Sequence, residues 1–466
     1  MTTATTQQVN GHPKGLYLLF ATEMWERFSY YGMRGLLMLY MTKSAIEGGL
    51  GFSDDNAGLI YGIYTGLVYL TPIFGGWLAD NYLGQRKSIT IGGITMAIGQ
   101  FCLFASSAES MSMFYLGLLL LILGNGFFKP NISTVVGQLY PEGDKRKDAA
   151  FTIFYMGINL GAFLAPLVCG FLAEDYFAVK NPDGQVLSYG FGYGFLAAGV
   201  GMILGQLLFN SQAKNMLGDL GMVPGAKQQK ETQASNEPLT SVEKSRLSVI
   251  IIMMLFNIFF WAGFEQAGSS ISLYTDRYIN RDVTMFGMMD EAWTIPTSWF
   301  QSVNPLFIVL LGPIFTFLWT RLSAKDKEPN SIIKMGLGMI LLGVGFFMMI
   351  GAAMERGGEN ADATVKANLM WLVGTYLIHT MGELCLSPVG LSLVTKLAPI
   401  KLGSLMMGVW FLSSFVANFL SGYLVQFFGK FGAMNIFAMI AGIVIALGLI
   451  VLLLNKKLLG MMHGVK

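Results

Sequence analysis

The chain has 466 residues, 53% of them hydrophobic and 12% charged, with a formal net charge of +2 and a mean hydropathy of +0.55. Soluble domains carry about 25% charged residues, so this composition excludes an ordinary soluble globule and indicates a polytopic membrane protein. The net charge is too small to imply nucleic-acid binding.

Three cysteines, Cys102, Cys169 and Cys385, all lie in apolar runs without paired spacing, which predicts neither disulfides nor a metal site. Glycine (57 residues) and methionine (30) are abundant, as close helix packing and sliding helices require. The start of the chain is polar and lacks the apolar core of a signal peptide.

Twelve segments are long enough to cross a bilayer: 15–42, 55–79, 88–107, 111–137, 148–174, 189–210, 246–275, 297–319, 331–354, 367–397, 403–429 and 432–457. They divide the chain into a tail (1–14), a six-helix bundle (15–210), a polar linker (211–245), a second bundle (246–457) and a short tail (458–466). Placing both termini in the cytoplasm puts about threefold more Lys and Arg on that side than on the other. Two halves of six spans with both ends inside predict a secondary transporter with its site near the midplane.

The first span carries Glu23, Glu26, Arg27, Tyr30, Tyr31 and Arg34. At 100° per residue Glu26, Arg27, Tyr30 and Arg34 fall within about 60° of Glu23, so one face is charged and the remainder apolar. Each charge costs roughly 2.5–3.5 kcal/mol at mid-bilayer, which predicts pairing or a watery cavity. After the second span, Gly75-Gly-Trp-Leu-Ala-Asp80-Asn-Tyr-Leu-Gly84-Gln-Arg86-Lys87 is similar to the cytoplasmic loop motif of the major facilitator superfamily, where an Asp and a basic residue latch neighbouring helices. Asp80 and Arg86 are therefore expected to be gating or structural.

The fourth span places Lys129 beside Pro130 near its middle. Tyr155 and Asn159, four apart on the fifth, share a face. Asn257, Trp261 and Glu265 form a polar stripe on the seventh, although Gly268 and Ser269 soon after also allow Glu265 to be an end cap. The eighth begins with Gln301 and Asn304 before Pro305. The tenth holds Glu383 deep in apolar sequence, with Ser387 one turn on and His379 one turn before, where a core histidine is the commoner case. Trp410 on the eleventh fits a cavity wall or plain core equally.

Three of these stretches together resemble the proton-dependent oligopeptide transporter family of the major facilitator superfamily: ExxER followed by Phe28, Tyr30, Tyr31 and Arg34; the FYxxINxG run Phe154 to Gly161; and GELCLSP around Glu383. The resemblance covers essentially the whole chain. It implies an all-α membrane protein with 12 transmembrane helices in two six-helix bundles, importing di- and tripeptides with protons by alternating access. It needs no cofactor, the proton gradient being the driving force, and a monomer suffices.

The resemblance also implies roles. Arg27, Arg34 and Lys129, with Tyr30 and Tyr31, receive the peptide carboxylate; Asn159, Asn304 and Glu383, with Ser387 nearby, receive its amino terminus. Tyr69, Tyr155, Trp261 and Trp410 line side-chain pockets. Glu23, Glu26 and Arg27 serve proton coupling, and Arg34 with Glu265 and Lys129 with Glu383 bridge the halves. Two departures stand out. The linker is too short and polar for the two extra helices of many bacterial members, and Thr65 stands where animal members carry a histidine.

The buried ions are also complementary on their own terms: +1 in the first half and −2 in the second, a field suited to a zwitterion. A symporter of nitrate or another small anion leaves Glu383 without a partner, and a drug/proton exporter usually has a less basic cavity. An enzyme lacks support, since no HExxH motif or nucleophile triad occurs.

Overall fold

The computed structural model describes residues 11–464 apart from 142–143, 145, 183, 225–237, 284–292, 359–361, 363 and 400–401. Most of the tail 1–14, the middle of the linker 211–245 and the last two residues of the tail 458–466 thus lie outside the described residues.

The first half contains α1 (Lys14–Thr42), α2 (Asp54–Leu78), α3 (Gln85–Phe104), α4 (Met111–Gln138), α5 (Arg146–Phe171) and α6 (Phe191–Leu217). The second contains α7 (Ser241–Phe264), α8 (Ser270–Tyr278), α9 (Val303–Ser323), α10 (Ser331–Glu355), α11 (Leu369–Leu397), α12 (Gly403–Leu424), the short α13 (Phe428–Phe431) and α14 (Ala433–Met461). Two antiparallel pairs, β1 (Val179–Lys180) with β2 (Val186–Ser188) and β3 (Asp282–Val283) with β4 (Trp293–Thr294), lie in loops. Eleven spans among the described residues are apolar enough to cross a membrane by composition. The twelfth, α1, is 29 residues long, and the charges of Glu23, Glu26, Arg27 and Arg34 set it apart.

Side-chain caps explain several of the starts. Ser53 accepts a bond from the Asn56 N–H at the head of α2, Thr240 and Glu243 form a capping box on α7, and Asn330 and Asn368 cap α10 and α11. These ends shift the sequence expectation: α6 continues to Leu217, α7 begins at Ser241 and α14 continues to Met461, which shortens the linker and the final tail. The largest departure is in the seventh span, expected as one helix. α7 ends at Phe264, a 3-10 turn covers Glu265–Gly268, and α8 restarts at Ser270.

Each half buries its own apolar core. Backbones approach closely where glycines face one another, α2 on α4 through Gly75 and Gly126, and α3 on α4 through Gly92 and Gly124. The second half repeats the device with Gly338 and Gly382 between α10 and α11, and Gly336 and Gly448 between α10 and α14.

The halves meet at the ends of the spans remote from the termini. There α2 packs on α12 through Gly58, Gly62 and Gly66, opposite Val425, Phe419 and Phe415. The Glu174 carboxylate accepts the N–H groups of Thr297 and Ser298 at 2.6 and 3.0 Å. Arg277 grips Asp54 with two bonds of 2.6 and 2.7 Å, and Lys43 pairs with Asp276 at 2.8 Å. Toward the termini Tyr155, Met156 and Leu405 are exposed. The halves are fastened to each other at the far end.

A Cβ at Gly62 would sit 2.7 Å from the Phe419 carbonyl oxygen. Gly62→Val is therefore expected to hold α2 off α12 at a cost of about 1–3 kcal/mol, the usual penalty of overpacking. The measurement is labelling of a Tyr69→Cys probe by an impermeant thiol reagent added on the side remote from the termini, which should rise about tenfold.

Candidate functional site: a charged centre between the halves

Glu23, Glu26 and Arg27 of α1 are buried and paired among themselves. Glu23 and Arg27, one turn apart, meet at 3.1 Å between Oε1 and Nε. Arg27 Nε also bonds the Glu26 carboxylate. The other Glu26 oxygen accepts a 3.2 Å bond from Asn125 Nδ2 on α4. The Arg27 guanidinium lies 5.4 Å from the Tyr30 ring centroid.

About two turns further along α1, Arg34 crosses to the second half. Its guanidinium bonds Glu265, donates to the Tyr61 hydroxyl at 2.9 Å and lies 5.8 Å from the centroid of Tyr31. The break after α7 makes this possible. Glu265 caps the helix at its C-terminal end, and Gly268 comes so close to Tyr61 and Arg34 that a Cβ there would fall 2.0 Å from the Tyr61 oxygen. Both readings of Glu265 thus apply together: it ends a helix and faces a cation.

Lys129 lies with its ammonium 4.3 Å from the Tyr69 ring centroid, and among the described residues it forms no ion pair. The bridge expected between Lys129 and Glu383 is not made. Glu383 accepts a bond from Asn304 Nδ2 at 2.8 Å, and the same amide reaches Thr380 Oγ1 at 3.0 Å. With the halves fastened at the far end, α4 and α11 are not drawn together at the level of these two residues.

The expected site residues nevertheless share one region. Tyr31 lies in the fields of Arg27 and Arg34 from its own half and of Glu265 and Glu383 from the other. Lys129 feels Glu23, Glu26, Arg27 and Glu265, and Tyr155 feels Glu383. Tyr31, Tyr69, Lys129, Trp261, Asn304, Ser387 and Trp410 are all half-buried, and Tyr155 is exposed. Trp261 Nε1 donates to Asn257 at 3.1 Å, fixing the indole along the stripe seen in the sequence. Trp410 packs on Gly390, where a Cβ would be 2.5 Å from its ring. Asn159 donates its amide to the Tyr155 carbonyl in its own helix at 2.9 Å, which leaves its Oδ1 as the end to offer.

Asp80 and Arg86 do not pair. Asp80 accepts from Gln85 at 2.9 Å, and Arg86 donates to the Gly218 carbonyl at 2.5 Å while its N–H reaches Gly221 at 2.9 Å. The loop after α2 is thereby tied to the end of α6. His379 packs against Phe346 with centroids 4.8 Å apart, as a core histidine does.

Other residues of this region carry signs in the sequence too weak to single them out. Asn125 sits one turn before Lys129, the only hint of its contact with Glu26. Tyr61 and Glu174 resemble ordinary residues of apolar segments and span ends, and Asp54, Arg277, Lys43 and Asp276 resemble interfacial charges. Only three-dimensional pairing distinguishes them.

A family model described as "POT family" matches residues 86–214 and 214–440. A transporter of Bacillus subtilis (strain 168), described as uncharacterized, is 36% identical, covering 98% of this chain and 96% of its own. A di-/tripeptide transporter of Lactococcus lactis subsp. cremoris is 34% identical over 98% of both chains. Among solved structures, a mutant of a peptide transporter POT in complex with alafosfalin superposes with a TM-score of 0.86 at 34% identity, covering 98% of this chain and 97% of that one.

Proposed function

The chain belongs to the POT family, and from that premise we propose that its charged centre takes a di- or tripeptide together with a proton and carries both across the membrane by alternating access. It is a multi-pass membrane protein of the major facilitator fold, a proton-coupled peptide symporter. In this reading both termini are cytoplasmic, the membrane is the cell membrane, and the structure is the inward-open state. Transport makes and breaks no covalent bond, so the protein is not an enzyme. It uses no cofactor, the monomer suffices, and its other partners are membrane lipids.

The observation that carries this reading is the meeting of opposite charge from the two halves around one region. Arg27, Arg34 and Lys129 with Tyr30 and Tyr31 form the side that receives the peptide carboxylate. Glu383, held by Asn304, forms the side that receives the amino group, with Asn159 and Ser387 beside it. Tyr69, Tyr155, Trp261 and Trp410 surround the side chains. Affinity then comes mainly from the peptide's two termini, which every short peptide possesses. A nitrate symporter would bury Glu383 opposite no cation of its ligand, at a cost of several kcal/mol.

Glu23 and Glu26 with Arg27, and Arg34 with Glu265, connect the proton to this binding. A proton on Glu265 frees Arg34 for a peptide carboxylate, and bound peptide without the proton leaves a buried ion unpaired.

The test is uptake of labelled dialanine into proteoliposomes under an imposed inward proton gradient. Accumulation above the external concentration, abolished by a protonophore, is expected. Uptake indifferent to the gradient, or competition by nitrate and not by unlabelled dipeptides, would overturn the reading.

A further inference from the structure

The proton-coupling carboxylates Glu23 and Glu26 are bonded unequally. Both oxygens of Glu26 have partners, Oε1 the Asn125 amide and Oε2 the Arg27 guanidinium. Glu23 has only Oε1 on Arg27, and its Oε2 is buried without a partner. Two further atoms of the same chain of contacts are buried and bare, Arg27 Nη2 and Asn125 Oδ1. An unpaired buried polar atom is costly, and three in one network mark an arrangement completed in another protonation state or conformation.

Asn125 is brought here by its neighbours. Gly124 and Gly126 let α4 press on α3 and α2, where Cβ atoms would lie 2.6 Å from the Gly92 carbonyl oxygen and 2.8 Å from Thr71. The side chain between them then has only α1 to face. We propose that Asn125 is a positioning residue for proton coupling: by donating to Glu26 it keeps that carboxylate paired with Arg27, and so leaves Glu23 Oε2 as the oxygen of this pair that takes a proton.

The other groups facing this pair agree. Glu23 and Arg27 come from α1 itself, Tyr64 from α2 and Lys129 from α4. The elements α5 and α6 approach through Gly161, Gly201 and Gly205 with no charge. Within this set both donors favour Glu26: Arg27 Nε hydrogen-bonds it and only ion-pairs with Glu23, and the Asn125 amide adds a second bond. A hydrogen bond to the charged form of a carboxylate favours that form. The step is a simple addition: a proton from the aqueous side bonds to Glu23 Oε2, and Arg27 shifts its hold wholly to Glu26.

This inference rests on the proton-coupled reading above, and wild-type dialanine accumulation tests that reading before any variant is made. With wild type active, Asn125→Ala is expected to move the midpoint of the pH dependence of gradient-driven uptake up by about one unit. Counterflow of dialanine at saturating concentration should stay within about twofold, since exchange needs no net proton movement. Asn125→Asp, the same in size, should move the midpoint further the same way, by adding a like charge beside Glu26. It carries the test if the alanine variant does not reach the membrane. In a Glu26→Gln background neither substitution should shift the midpoint. Loss of both uptake and counterflow in the two variants, an unmoved midpoint where uptake persists, or an equal shift in the Glu26→Gln background would overturn the assignment.

Discussion

Glu383→Gln is expected to abolish proton-driven accumulation of dipeptide while sparing exchange. The substitution keeps the volume of the side chain, and a glutamine oxygen can still accept from Asn304 Nδ2, which now bonds the carboxylate at 2.8 Å. What disappears is the charge. A hydrogen bond from an ammonium group to a carboxylate is worth about 1.5–3 kcal/mol, against roughly 1 kcal/mol between neutral partners. The apparent affinity for dialanine should fall about tenfold or more. The larger effect lies in coupling. Glu383 is buried and shares its field with Glu265, so protonation of one of the two acids bears on the other. An amide fixes that site in its neutral form, and the internal concentration should no longer rise above the external one under an imposed pH gradient. Accumulation equal to wild type would remove Glu383 from the coupling mechanism. Normal coupling with lowered affinity would keep it only as the site for the amino group.

The sequence made the twelve spans and the charged face of α1 readable because both follow from local rules. An apolar run of sufficient length must cross the membrane, and charges spaced at helical period must share a face. The spans deviate from expectation at their ends by a few residues, and at the starts of α2, α7 and α11 capping by Ser53, Thr240 and Asn368 decides the boundary. The break at Glu265 was less accessible, because it is stabilised by a neighbour 200 residues away in sequence: Tyr61 fills the space that the missing Cβ of Gly268 leaves open. The outer straps were invisible for a related reason. Glu174 is one more acid at the end of a span until its carboxylate is seen capping Thr297 and Ser298 of the other half. Lys129 and Glu383, implied as a bridge, stand apart here, because a pairing that belongs to one stage of a cycle cannot be assigned to a given conformation from residue types alone.

Removing the carboxylate of Glu265 is expected to shift the molecule toward opening at the end remote from the termini. Several contacts hold that end, and the polar ones differ in strength. Asp54 and Arg277 retain 24% and 37% side-chain exposure. Such a pair contributes about 1 kcal/mol or less in spite of good geometry. Lys43 with Asp276 is intermediate, at 20% and 7%, and the Glu174 cap is made with backbone N–H groups that a single substitution elsewhere does not disturb. Arg34 and Glu265 are 10% and 8% exposed, so withdrawal of one partner leaves a buried cation with only the Tyr61 hydroxyl and the face of Tyr31. The usual cost of such a loss is about 3–5 kcal/mol. Because the pair joins the two halves, that cost falls on the closed arrangement and is relieved when Arg34 turns to water. The equilibrium should move by a factor of roughly 100 to 1,000. Glu265→Gln should then make the Tyr69→Cys probe reactive from the remote side and stop gradient-driven uptake. Exchanging the charges, Arg34→Glu with Glu265→Arg, should restore protection of the probe without restoring transport, since the carboxylate of the peptide would meet an acid in place of Arg34. If the probe stays protected in Glu265→Gln, the closed end is held by the Glu174 cap and by the glycine contact of α2 with α12, and the ion pair belongs to substrate recognition alone.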